Sequence, residues 1–430
     1  MEIILKNTLY ILLIYNSSIL FILFIFFINF IINLKKFKQV FSYKINFIYE
    51  QTLPKVSVLI PARNEEKNIE ACVRSLLEQD YNNYEIIILD DNSTDDTQKI
   101  VKNIIEENNL SQSLLNDFNN ENKKINLKLI IGKPLLNGWV GKNYACYQLE
   151  KAASGSYLLF TDADTIHGPE SISSGLQCLI SNNLDALSVY PELIMKSFIE
   201  KMVIGFMKFG ILLFLPLYVR KKISKLMFHP ALGSYMLYKR DVYNKIGGHK
   251  QIYNKCLEDM NMAKLITNNG YKFAIFDGMN IYKTRMYNNF KDLYKGFSRF
   301  IITTFNYNKI LPLILNLAIS VLLLFPFLLL ISYPFFYSFE FQNYFMTTEI
   351  INLLNRNIIL TLMQISLILL IKTIYISRFE GSIIDLFLHP ISIAIILIMG
   401  IALSFGGKKT SKISWKGREY CLNNCNNIKG

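Results

Sequence analysis

The sequence predicts an α/β fold with a mostly parallel sheet, set between apolar segments long enough to cross a membrane. Short apolar runs that read as buried strands alternate with segments whose apolar residues recur at helical spacing. Acidic residues gather directly after those runs, where open α/β sheets bind their ligands. The apolar residues of this 430-residue chain, 51% hydrophobic overall, crowd toward its two ends.

Residues 8–34 are almost wholly apolar, and Lys35, Lys36 and Lys38 follow at once, against Lys6 before them. No small-residue cleavage site follows, so residues 1–36 read as an anchor. The lysine bias places the middle of the chain in the cytoplasm and the protein in the plasma membrane. Residues 309–337, 349–373 and 383–405 are again hydrophobic, giving a multi-pass C-terminal region over 305–406 and a basic tail over 407–430. The formal charge of +13 suits an anionic membrane surface, because the lysines flank apolar segments and form no dense tract. Nucleic acid is not an expected partner. The six cysteines stand at no metal-ligand spacing in the soluble part and suit a reducing compartment. Cys421 and Cys425 form a C-x-x-x-C with no further ligand nearby.

The soluble part, 54–300, opens with the strand Val56–Ile60 and the loop Pro61–Glu65. Asn64 is the expected helix cap, followed by Ile69, Cys72, Val73, Leu76 and Leu77 on one face. Ile86–Leu89 is the second strand, ending in Asp90-Asp91. Thr94 is the expected cap of a helix that buries Ile100, Val101, Ile104 and Ile105. Residues 106–126 are rich in Asn, Glu and Lys and read as a flexible insertion. Leu127–Ile131 is a strand. A glycine-punctuated loop, Gly138-Trp139-Val140-Gly141-Lys142, leads into a helix closed by Gly155 as a C-cap. Tyr157–Phe160 is a strand that stops on Asp162-Ala163-Asp164, and Pro169 is the expected first residue of the next helix. Asp185–Tyr190, Tyr235–Tyr238 and Lys272–Phe276 are further strands, with a helix from Leu257 to just before Gly270. Residues 197–225 mix Phe206, Phe209 and other apolar residues with cations. They read as a membrane-interface segment, with a buried core helix as the alternative.

Asp162 and Asp164 carry the most pointed chemistry. Two carboxylates at a strand end can hold a hard divalent ion, Mg²⁺ or Mn²⁺, that also grips substrate phosphates. Taken alone, the pair also reads as a polar strand end capping the next helix.

The segments PARNE, LDDNSTDDT, GWVGK, FTDADT and LEDMNMAKLITNNG, in this order over about residues 54–300, resemble the family-2 glycosyltransferases. Together with the N-terminal anchor, His389–Ser392 and the tail WKGREY, they look most like the membrane-bound branch associated with hopanoid and carotenoid lipids. The resemblance implies a Rossmann-like domain that moves a sugar from a nucleotide-diphosphate donor, a UDP-sugar favoured, with inversion. It implies Asp164 as direct metal ligand with Asp162 supporting, Asp91 accepting the base N–H, and Pro61 lining the base pocket. Glu65 and Asp90 stand beside them, Asp90 also reading as a strand-end carboxylate. Asp259, second in the pair Glu258-Asp259, matches the general base, although a helix start favours an acid there regardless. Lys142 and the Gly-rich loop are expected to meet the phosphates, unless the lysine is simply solvated. Trp139 reads either as a core residue or as a cover over sugar or base. Arg285 and Arg299 are weaker diphosphate candidates.

The acceptor expected from this arrangement is a lipid of polyisoprenoid, carotenoid or hopanoid kind. A processive polysaccharide synthase is the competing enzyme, disfavoured because Gln-x-x-Arg-Trp is missing from the stretch Arg285–Arg299. A transporter wants ionisable residues at mid-membrane, and Lys372 is the sole obvious one. A catalytically dead binding module predicts loss of the acidic residues, all of which are present.

Overall fold

The computed structural model describes residues 2–40, 53–116, 125–217, 225–287, 289–305, 308, 310–342, 347–379, 381–405, 412–416 and 418–421. The chain forms two compact units. One comprises Met1–Lys36, Met195–Val219 and Asn289–Gly406, the other Phe37–Ile194, Arg220–Asn288 and Gly407–Gly430.

The second unit is built on an eight-stranded sheet. Its strands are β1 (Val56–Ala62), β2 (Tyr84–Asp90), β3 (Asn126–Ile131), β4 (Tyr157–Thr161), β5 (Thr165–His167), β6 (Ala186–Leu193), β7 (Tyr235–Lys239) and β8 (Phe273–Thr284), in the order β3-β2-β1-β4-β7-β6-β8-β5. The pairs among β3, β2, β1 and β4 are parallel, as is β6 with β8, while β7 and β5 run against their neighbours. The expected mostly parallel α/β sheet is therefore present, with two reversed strands. A hairpin of β9 (Lys412–Trp415) and β10 (Arg418–Cys421) forms a separate two-stranded sheet.

Alternation along the central strands sorts side chains to two faces. Val58, Ile60, Ile86 and Ile88 pack with Ile69, Cys72, Val73 and Leu76 of α2 (Ile69–Leu77) and with Val101 and Ile104 of α3 (Thr97–Asn116). Leu59, Ile87, Leu89 and Leu158 point to the other face, against Ala145, Cys146 and Leu149 of α4 (Gly141–Ala152). Each such aliphatic side chain, once fully buried, contributes about 1.5–3 kcal/mol. The remaining helices of this unit are α5 (Ser171–Ser181), α7 (Arg240–Lys245) and α8 (Glu258–Asn268). The β1–β2 register sets Ala62 opposite Asp90, and the β1–β4 register sets Leu59 opposite Phe160. The loops after β1, β2 and β4 thus emerge side by side at one edge, which is where the sequence places its acidic residues.

Several local expectations need correction. Residues 106–116 continue α3, and residues 117–124 lie outside the described residues. Asn64 caps no helix. It takes a left-handed φ of 52°, and its Oδ1 accepts from the Thr94 N–H at 2.9 Å, tying the β1 and β2 loops together. Thr94 caps nothing either, because α3 starts at Thr97, whose N–H donates to Asp95 at 3.1 Å. Gly155 is a close-approach glycine, not a left-handed cap, since a Cβ there would meet the Lys55 carbonyl oxygen and the Ser57 nitrogen at 2.7 Å. The helix expected from Pro169 starts at Ser171.

The first unit is helical: α1 (Glu2–Lys36), α6 (Phe198–Phe214), α9 (Phe290–Thr304), α10 (Ile310–Leu323), α11 (Phe325–Gln342), α12 (Thr348–Arg378), α13 (Ile384–Phe387) and α14 (His389–Phe405). Among the described residues, α1 and α12 are each long and apolar enough to cross a membrane. α10 and α11 pass that test only as a pair, bent by 51° at a short break. Pro326 sits in the first turn of α11, where its missing N–H costs nothing. Polar side chains inside this unit pair with one another. Asn16 donates to Asn357 at 2.9 Å, and Gln364 donates to the Asn16 carbonyl at 2.8 Å. Asn29 and Asn33 donate to the carbonyls of Leu213 and Leu212 at the C-terminal end of α6, groups that a helix end leaves without partners. Phe209 is fully buried against Phe30, Tyr375 and His389, so it is a packing residue of the helical unit. The cations Arg220, Lys221 and Lys222 lie outside the described residues.

Candidate active site

The loop after β4 is held by a buried hydroxyl network. Thr161 Oγ1 lies 2.9 Å from His167 Nε2 and 3.1 Å from Thr165 Oγ1, and donates to the Ser234 carbonyl at 2.8 Å. Thr165 Oγ1 donates to the Asp162 carbonyl at 2.7 Å, and Thr284 Oγ1 to the Asp164 carbonyl at 3.1 Å. Burial pushes the His167 imidazole down to about 3, so it is a neutral strut of this network. The turn is thereby fixed from β5, β7 and β8, and the carboxylates of Asp162 and Asp164 are left to project from it.

Lys142, in the first turn of α4, reaches this turn from the opposite side. Its Nζ lies 2.6 Å from Asp162 Oδ1 and 2.5 Å from Glu258 Oε1. It is not a solvated lysine. Burial works against its charge, but the two carboxylates outweigh burial and raise its pKa well above the ordinary value. Burial likewise opposes charge on Glu258, yet Lys142 prevails and holds that carboxyl below its ordinary value.

Asp259 behaves differently. Burial, and then the neighbouring Glu258 charge, push its carboxyl up to about 7. Its Oδ2 accepts from the Gly233 N–H at 3.1 Å, and its Oδ1 from the Met260 N–H at 2.8 Å. The pair starts α8 immediately after Leu257, whose φ of 56° is unusual for a branched side chain and marks a held corner. Gly233 is the close-approach residue: a Cβ there would lie 2.9 Å from Glu258 Oε1 and 3.1 Å from Lys142 Nζ. Pro61, Lys142, Asp162, Gly233, Glu258 and Asp259 line a common pocket.

Asp164 is pushed up to about 7 by burial and by the charges of Asp162 and Glu65. Excess negative charge therefore meets between the β1 and β4 loops. Among the described residues no group of three or more His, Cys, Asp or Glu is arranged to hold a metal ion. The corner offers the two aspartates instead, a donor set that fits a hard ion completing its shell with water and phosphate oxygens.

The β2 corner is closed by the chain itself. Asp90 caps the following turn, its carboxylate oxygens 3.3 and 3.4 Å from the Ser93 N–H. Asp91, 2% exposed, receives Arg418 of the β9–β10 hairpin through both guanidinium nitrogens, Nη2 at 3.1 Å from Oδ1 and Nη1 on Oδ2. Glu65 pairs with Lys416 of the same hairpin at 2.7 Å. Trp139 sits in an aromatic cluster with Tyr144, Tyr147 and Tyr253, at centroid separations of 5.2, 5.3 and 5.7 Å. Arg285 directly follows β8, and Arg299 lies in α9 of the other unit.

A protein-family comparison matches residues 57–247 to "Glycosyl transferase family 2". This stretch is a family-2 glycosyltransferase domain. The 4,4'-diaponeurosporenoate glycosyltransferase of Staphylococcus aureus strain USA300 is 24% identical over 253 residues, 58% of this chain and 61% of that protein. The similarity thus spans about three-fifths of that relative's length. Among solved structures, the mannosyltransferase PcManGT from Pyrobaculum calidifontis, in complex with GDP-Man and Mn²⁺, matches at a TM-score of 0.47 and 13% identity. That match covers 93% of this chain and all of the other. S. aureus TarS 1–349 in complex with UDP-GlcNAc matches at 0.37 and 16% identity, covering 87% and 99%.

Within the glycosyltransferase domain and the segments that complete its sheet, Lys142, Asp162, Glu258 and Asp259 come together as one cluster. Asp164 and Glu65 are coupled by charge, and Asp90 and Asp91 stand at the next strand end. The sequence alone did not single out Gly233 or His167. Its place two residues before a predicted strand was the one available signal for Gly233. Nothing local marks a lone histidine as a hydroxyl-network strut.

Proposed function

We propose that the protein is a membrane-anchored glycosyltransferase that moves a sugar from a nucleotide-diphosphate donor, a UDP-sugar favoured, to a lipid acceptor with inversion. The observation that carries this is the division of labour between Glu258 and Asp259. Lys142 pairs with Glu258 and Asp162, so within this lysine cluster Asp259 is the acid whose pKa is raised to near neutrality, where a general base works best.

In this reading the acceptor hydroxyl gives its proton to Asp259. Its oxygen forms a bond to the anomeric carbon as the bond from that carbon to the diphosphate oxygen breaks, and the diphosphate leaves with the electron pair. The backbone N–H groups of Gly233 and Met260 orient the Asp259 carboxylate toward that task. Asp164, with Asp162 beside it, is where Mg²⁺ or Mn²⁺ would be held. When bound, such an ion supplies Lewis-acid stabilisation of charge on the diphosphate. Asp91 takes the base N–H and Pro61 lines the base corner.

The acceptor class rests on the apolar helices of the first unit and on similarity to a protein named for glycosylating diaponeurosporenoate. A polyisoprenoid, carotenoid or hopanoid derivative can present a polar end while its tail stays in the bilayer. The lysine bias around α1 supports a cytoplasmic orientation of the glycosyltransferase domain at the plasma membrane. The test is a panel of sugar nucleotides supplied to the purified full-length protein with total lipid extract as acceptor. Sugar label appearing in lipid supports the reading. Consumption of donor into long water-soluble polymer would replace it with a processive synthase.

A further inference from the structure

We propose that the C-terminal β9–β10 hairpin is part of the donor site, with Arg418 as the positioning residue that fixes Asp91 for base recognition and Lys416 as its companion at Glu65. The inference rests on the nucleotide-donor reading given above.

Four observations support it. First, Arg418 engages both oxygens of Asp91, which is almost wholly buried, and the Arg418 side chain itself is only 16% exposed. Such a two-point contact sets the plane of the carboxylate as well as its charge. A carboxylate has about four acceptor positions, so the two-point contact alone does not exhaust the acceptor capacity of Asp91. Second, the hairpin is anchored through its backbone too. Arg63 Nε donates to the Lys416 carbonyl at 3.1 Å, and Arg63 Nη1 donates to the Asp91 and Asn92 carbonyls at 2.5 and 3.0 Å. Arg63 therefore stitches the β1 loop, the β2 loop and the hairpin at one point. Third, both hairpin cations reach residues at the carboxyl ends of parallel strands, the side of the sheet on which α/β folds bind ligands.

The fourth observation is the charge balance. Glu65, Asp91, Asp162 and Asp164 crowd this edge, while Lys142 is committed to Asp162 and Glu258. A diphosphate brings further negative charge. Lys416 and Arg418 reduce the repulsion it meets, and they arrive on a segment that sequence order places more than 150 residues after the strands it serves.

The test uses the full-length protein in nanodiscs, with UDP binding measured by calorimetry and folding by thermal melting. R418A should weaken UDP binding about tenfold, with R418K intermediate because an ammonium cannot pair with both oxygens at once. K416Q should weaken it to a smaller degree. The exchange D91R/R418D restores the ion pair without restoring the acceptor at position 91. It should recover the melting temperature and leave UDP binding weak. Should R418A fail to fold, R418K and K416Q carry the same comparison. UDP bound by the variants as tightly as by wild type, or more tightly, overturns the proposal, the tighter case making the hairpin a plug. Restored UDP binding in the exchange variant also overturns it, since the pair would then be structural. If wild type binds neither UDP nor any other nucleoside diphosphate, the donor reading itself fails and takes this proposal with it.

Discussion

Lys142 Nζ stands 2.5 Å from Glu258 Oε1, and this contact separates the fates of two adjacent acids. Glu258 is held charged by the lysine, whereas Asp259, next along the chain, feels burial and the Glu258 charge and titrates near 7. Losing the lysine would strand two partly buried carboxylates. K142M should destabilise the fold by on the order of 3 kcal/mol and abolish transfer. Denaturant melts and an activity assay at pH 7.5 check both. A variant as stable as wild type would show that the pair is solvated after all.

The Asp259 carboxyl gives a signed pH dependence. The folded state keeps its proton up to about 7, while the unfolded chain releases it near 3.8. Its contribution to stability is therefore complete below pH 3.8 and is lost as pH rises toward 7. D259N removes this loss, so it should match wild type near pH 4 and exceed it above pH 7 in thermal melts. Wild-type transfer should rise with pH through about 7, because the base acts only when deprotonated. A flat profile between pH 6 and 8 would contradict the assignment.

Asp164 is tested by the ion it is proposed to hold. D164N should lose divalent-dependent transfer while folding normally, because asparagine keeps the side chain's size and the Thr284 hydrogen bond goes to the backbone carbonyl. Wild type should lose activity in EDTA and regain it with Mn²⁺ or Mg²⁺. Full activity in EDTA would remove the metal from the account.

Gly233 is a positional prediction. G233A pushes a methyl group to within 2.9 Å of Glu258 Oε1 and 3.1 Å of Lys142 Nζ, so the ion pair must shift by a few tenths of an ångström. A misplacement of about 1 Å can cost about 100-fold in rate, so this smaller shift should cost up to about 10-fold. The melting temperature should barely move, because the displaced groups are side-chain ends.

The hairpin contacts also bear on topology. Lys416 and Arg418 touch Glu65 and Asp91, so the tail lies on the same side as the glycosyltransferase domain. An even number of crossings must then separate residue 289 from residue 412. Either the α10–α11 pair, bent by 51°, or the shorter apolar helix α14 then enters without a full crossing. A single cysteine at position 412 should be labelled only after the cells are permeabilised. Labelling in intact cells would show that the tail lies outside.

The sheet was legible because its signals are local. Ile86–Leu89 is apolar without interruption and Val56–Ile60 is broken only by Ser57, the near-continuous apolar composition that buried parallel strands need. The acids after them were legible as well, since strand ends are where this architecture exposes polar groups. Contacts between residues distant in sequence were not. Lys142 and Glu258 are brought together by α4 and α8, elements more than 100 residues apart, and no local pattern encodes that meeting. Asn64 was misread because an asparagine before acids suits a cap and a left-handed corner equally well. Phe209 reads as interfacial beside lysines, and only the packing of Phe30, Tyr375 and His389 around it identifies it as buried.

The most direct test compares lipid glycosylation by wild type and D259N at pH 8, with UDP binding measured on the same preparations. The account predicts that D259N binds UDP like wild type while its lipid product falls about 10²-fold or more. Lipid product within a few-fold of wild type would contradict it and reduce Asp259 to a helix cap.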